Sequence, residues 1–112
     1  MSFELDPDND FEAAIIAMVE THRSKAADYT DGAANQNFYD TAYQLSQSAG
    51  HACETLISTK QARLRTLLPK FWAGGAKPNN ESIYDTLLDR AVYSVIAMTI
   101  WNEGGYTPEE VA

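Results

Sequence analysis

From Ala91 to Trp101 the chain runs almost unbroken through apolar residues, and three carboxylates, Glu81, Asp85 and Asp89, precede that run at intervals of four. The run is about half of the ~20 residues needed to span a bilayer, so it belongs in a protein core. A spacing of four places the carboxylates in one row along a helix. A helix that is apolar around most of its circumference must be covered by other elements, and the rest of the chain has to supply them.

The rest of the chain supplies helices. Asn9, followed three positions later by Glu12, has the pattern of a capping box. Phe11, Ala14, Ile15, Met18 and Val19 then recur at helical spacing, and the pattern carries through to about Tyr29. Thr30-Asp31-Gly32 breaks it. A second, shorter helix is expected from about 37 to 49 on Phe38, Ala42, Leu45 and Ala49, ended by Gly50. A third, from about 51 to 68, rests on Cys53, Leu56, Ile57, Leu64, Leu67 and Leu68, with Pro69 marking its end. The Gly50 break is tight enough that the two could form one bent helix. Residues 73–80, rich in glycine, proline and asparagine, read as a loop. The fourth helix is expected from Glu81 to about Asn102, closed by Gly104-Gly105. Thr107-Pro108-Glu109-Glu110 resembles a further helix start, read here as a fraying end. No convincing strand and no repeat interrupts this pattern. The expectation is an all-α, compact four-helix bundle-like domain with a buried C-terminal helix, a single unit over 1–112 with short tails at both ends.

Composition narrows the functional classes. Hydrophobic residues make up 45% and charged residues 21% of 112 residues, ordinary for a folded domain. Eight basic residues against sixteen acidic ones leave a net charge of −8. That sign disfavours direct DNA binding and anionic membranes, which carry the same charge. It suits a solvated surface, a cation-binding site or a mimic of nucleic acid. The single cysteine, Cys53, rules out an internal disulfide and a multi-cysteine zinc site, and points weakly to a reducing, cytoplasmic setting. The acidic opening, Met-Ser-Phe-Glu-Leu-Asp-Pro-Asp, does not read as a signal peptide.

Most charges fall on expected solvent faces; a smaller set does not. Continuing the carboxylate row by helical steps reaches Val92, Ile96 and Thr99, while Thr86, Arg90 and Ala97 mark the opposite, outward side. Asp85 and Asp89 are therefore expected to point inward, where an uncompensated carboxylate is costly. Lys60 sits in the apolar stripe of the third helix, with Arg63 at its edge beside Leu67. Lys25 and Tyr29 lie along one side of the first helix, with His22 on its apolar stripe. Two readings stay open. Lys60 and Arg63 could pair with Asp85 and Asp89 and simply set helix register. Alternatively the carboxylates hold Mg²⁺ and the basic groups meet phosphate. His22 and Cys53 read as core residues and His51 as a helix-start residue. No phosphate-binding glycine loop, dinucleotide fingerprint, zinc-protease motif or nucleophile elbow is present.

The segments Lys25-x-x-Asp28-Tyr29, Lys60-x-x-Arg63-Leu64 and Glu81-Ser82-x-x-Asp85-Thr86-Leu87-Leu88-Asp89-x-x-x-Tyr93 resemble, in that order, the nucleotide modification associated domain 1 family. These are small all-α proteins and domains common in bacteriophages and prophages. More distantly the chain is similar to MazG-like all-α nucleotide pyrophosphohydrolases, which hold Mg²⁺ between acidic motifs on two helices. The resemblance implies a phage-type protein of the bacterial cytoplasm that binds a nucleotide or a nucleotide-derived small molecule, either as a Mg²⁺-dependent (pyro)phosphohydrolase or as a degenerate relative. Asp85 and Asp89 would hold the metal, Glu81 would serve as auxiliary ligand or base, and Lys25, Tyr29, Lys60 and Arg63 would meet phosphate. Departures accompany it. The Glu-Glu-x-x-Glu helix of the MazG-like enzymes is missing, with Glu54 standing alone. Thr30, Thr59 and Val92 also replace the glycine, acid and asparagine common in the closer family. A homo-oligomer could bring two clusters together. The alternative is a non-enzymatic acidic protein that binds or inhibits a host protein.

Overall fold

The computed structural model describes residues 4–29, 35–74 and 83–107, with side chains described for all of these except 26–29. Four helices, α1 (Asp10–Tyr29), α2 (Gln36–Leu45), α3 (Ala49–Trp72) and α4 (Ile83–Asn102), pack into an all-α, bundle-like domain, without strands among the described residues.

Each helix end has a local cause. At the start of α1, Asn9 Oδ1 accepts the Glu12 N–H at 3.0 Å, the forward half of the capping box. Glu12 Oε1 reaches past Asn9 to accept the Asp6 N–H at 3.2 Å. Ser46, in the left-handed region at φ 54°, ends α2, and Gln47 N–H returns to the Ala42 carbonyl at 2.8 Å. Ser48 Oγ then accepts His51 N–H at 2.9 Å and starts α3. The break between the two helices is thus at Ser46–Ser48 rather than at Gly50, which lies buried inside the first turn of α3. At the far end, α3 passes through Pro69 to Trp72. Pro69 is exposed, so water can serve the carbonyl that the missing N–H leaves open. Gly104, at φ +77°, closes α4, and Gly105 N–H returns to the Ile100 carbonyl at 2.8 Å.

The most extensive packing is between α3 and α4, with α2 added on α3 and α1 added on α4. The core joins Phe38, Ala49, Ala52, Cys53, Ala97 and Ile100, and Tyr93 meets Phe38 edge-on at 6.4 Å. Small residues in the first turns of α3 let other groups come close. Gly50 N–H donates to the Gly105 carbonyl at 2.8 Å, and the Tyr106 ring lies where a Gly50 side chain would be. The last helix is buried on one side only. Thr86, Val92, Ala97 and Ile100 are buried, whereas Tyr84, Leu87, Val95, Met98 and Trp101 are exposed. The domain measures 53 × 40 × 22 Å, a slab with much apolar surface.

Candidate functional site

The phase of α4 differs from the one its sequence suggests. Thr86 and Ala97, expected to face outward, are 0% and 8% exposed, and Asp85, expected inward, is exposed. The buried arc steps through Thr86, Tyr93, Ala97 and Ile100 against α2 and α3. A second arc, through Val92 and Ile96, faces α1. Asp89 lies on the seam between the two arcs, one turn beyond Asp85.

On that seam Asp89 is held from both sides. Lys25 Nζ of α1 donates to Oδ1 at 2.9 Å, and Lys60 Nζ of α3 approaches Oδ2 at 3.1 Å. The carboxylate side chain is 15% exposed, Lys60 20% and Lys25 43%. Burial pushes the Asp89 carboxyl up, but hydrogen bonds and charge from Lys25 and Lys60 outweigh it and hold it below the ordinary carboxylate value. Arg63, one turn along α3 from Lys60, is half-buried. Of the residues read from the sequence as a site, the fold therefore unites Lys25, Lys60 and Asp89 and leaves Asp85 on the surface. Tyr29 ends α1, but its side chain, and Glu81 altogether, lie outside the described residues.

The Asp89 carboxylate is already engaged by cations. Mg²⁺ needs oxygen ligands, and each oxygen of Asp89 already faces an ammonium group. Among the described residues no group of three or more His, Cys, Asp or Glu could hold a metal ion. The chemistry on offer is that of cations. Among the described residues two ammonium groups, those of Lys25 and Lys60, meet at the Asp89 carboxylate.

Two polar arrangements had no warning in the sequence. Asn35, 5% exposed, precedes α2 but makes no side-chain cap hydrogen bond there. Its Nδ2 donates instead to Thr99 Oγ1 at 3.0 Å and Glu103 Oε1 at 2.7 Å, and Tyr39 Oη donates to the same Glu103 oxygen at 3.3 Å. On the other side, Tyr106 Oη donates to Glu54 at 2.8 Å, and burial with that hydrogen bond pushes its phenol up to about 12. Both arrangements join residues more than fifty positions apart, so no local spacing foretells them.

Between α1 and α4 runs an apolar groove of about 640 Å³, with His22 and Arg23 on one wall and Thr99 and Glu103 on the other. No helix among the described residues is long and apolar enough to cross a membrane.

Compared with protein-family models, with curated proteins and with solved structures, the chain finds no match.

Proposed function

We propose that the chain binds the phosphate of a nucleotide or nucleotide-derived small molecule at the seam of α1, α3 and α4, as a phage-type relative of nucleotide hydrolases that has kept the anion site without a ready metal site. The observation carrying this reading is the engagement of one carboxylate, Asp89, by lysines from two other helices. Two ammonium groups converge on one carboxylate, so an incoming phosphate would meet both positive charges at one place. Lys25, the more exposed of the pair, is the one placed to turn outward, while Lys60 stays on Asp89. Arg63 adds a planar fork suited to two phosphate oxygens. The order of the Lys25, Lys60–Arg63 and Asp85–Asp89 segments, which resembles the nucleotide modification associated domain 1 family, supports the same reading.

Calorimetry with a panel of nucleoside mono-, di- and triphosphates, with and without Mg²⁺, tests it. Binding that persists without Mg²⁺ and is lost in Lys60→Ala is the expected result. Absence of binding to every nucleotide sinks the proposal. Binding that demands Mg²⁺ and fails in Asp85→Asn would restore the metal-dependent hydrolase in its place.

One observation favours a second reading, an acidic protein that binds or inhibits a host protein. Phe71 and Trp72, at the end of α3, are 62% and 73% exposed side by side, and adjacent exposed aromatic residues suit a protein contact. Capture of a bacterial protein that is lost on Trp72→Ala, with no nucleotide bound, would favour it.

A further inference from the structure

The twenty residues of α1 carry no fully buried side chain among those described, although Phe11, Ile15, Met18 and Val19 form a clear apolar stripe. The main packing of the helix is on α4, and α4 beside it exposes Leu87, Val95 and Met98 at helical spacing. The two helices therefore present one apolar face with the groove along its middle.

Charge says what can cover it. Lys25 of α1 meets Asp89 near the start of α4, and Phe11 shares the groove with residues late in α4. The helices thus run antiparallel, and Arg23 and Glu103 mark opposite ends of the groove. A two-fold axis across the groove would set Arg23 of one copy against Glu103 of the other, twice. The groove lining itself balances Arg23 against Glu103 while the whole chain carries −8, so two copies meet here with little repulsion.

We propose that this face is covered by a second copy of the chain, α1 and α4 of each copy packing antiparallel about a two-fold axis. An isologous contact of this kind needs a self-complementary patch, and the Arg23–groove–Glu103 arrangement is one. The proposal is independent of the nucleotide site, because Lys60 and Asp89 do not line the groove.

Light scattering on the wild-type protein over a wide concentration range tests it, alongside melting followed by circular dichroism. The expected result is a species of twice 12.4 kDa whose melting temperature rises with concentration. Val95→Glu places a charge in the middle of the face and is expected to weaken dimerisation at least tenfold. Should that variant lose its helical signal, Arg23→Glu, at an exposed position, gives the same test by turning the rim attraction into repulsion, most strongly at low salt. Tyr43→Glu, an exposed site on α2 away from the face, leaves the dimer intact. A mass of 12.4 kDa at every concentration overturns the proposal, as does a dimer that survives both Val95→Glu and Arg23→Glu unchanged.

Discussion

Lys60 on α3 stands 3.1 Å from one oxygen of Asp89 on α4, while the other oxygen of that carboxylate accepts a hydrogen bond from Lys25 on α1. A mostly buried carboxylate thus joins three helices and adds to the apolar packing of α1 on α4. Such a group is costly to desolvate alone and costly to strip of a partner. The same feature is a structural tie and, in the function we propose, the place where an anion binds.

Replacing Asp89 by Asn keeps the shape and removes the charge that Lys25 and Lys60 both engage. Stability should fall by about 2 kcal/mol, the scale of a hydrogen bond to a charged group, measured by urea unfolding near neutral pH. The pH dependence has a definite sign. Asp89 has a lowered pKa in the folded chain, so its contribution is complete above the unfolded value of about 3.9. It is lost as pH falls through the lower folded value. The gap between wild type and Asp89→Asn should therefore begin to close only below about pH 4 and vanish below the lowered folded value. A gap that stays constant into acid would mean the ion pairs contribute nothing.

Gly50→Ala should destabilise the domain even though alanine favours helix. The added carbon would sit 2.5–2.6 Å from three carbons of the Tyr106 ring, closer than any carbon pair tolerates. Moving the ring endangers its hydrogen bond to Glu54. Overpacking of this kind costs about 1–3 kcal/mol, against a helix-propensity gain of at most about 1 kcal/mol. Urea unfolding should show a net loss, and Tyr106→Ala in the same background should recover part of it. An unchanged midpoint for Gly50→Ala would contradict the packing.

The thiol of Cys53 is fully buried and donates to the Tyr93 carbonyl at 3.3 Å. Burial and the nearby Glu54 charge push it up to about 11. It should resist alkylation in the native protein and react fully in denaturant, with mass spectrometry as the readout. Because its folded pKa lies above the unfolded one, its stabilising effect is whole at neutral pH and fades as pH rises from about 9 toward about 11. Rapid native labelling would contradict its placement between α3 and α4.

The helices were legible because their signals are local. Asn9 caps α1, Gly104 closes α4, and Cys53 and Leu64 of the α3 stripe are buried as their spacing suggests. Gly50 and Pro69 misled for tertiary reasons. A glycine can mark close approach as readily as a turn, and an exposed proline near a helix end is tolerable. The face of α4 was harder, because apolar residues surround it and no single phase dominates. Thr86, mildly polar, read as outward and is wholly buried. The pairing of Lys60 with Asp89 is among the readings the sequence leaves open, since a carboxylate among apolar neighbours needs a cation, whereas Lys25 is expected at phosphate and not as a partner of Asp89. Asp85 could not be separated from it by spacing alone. Asn35 and Tyr106 went unseen because their partners lie far along the chain.

The most direct test of an anion site at the α1–α3–α4 seam follows the Asp89 side-chain carboxyl by carbon NMR while a nucleoside triphosphate is added without metal. A saturable shift of that resonance, absent in Lys60→Ala, is the predicted result. Nucleotides that leave the Asp89 signal unmoved at saturating concentration would contradict the account and leave the Lys25–Asp89–Lys60 bridge as a tie between helices alone.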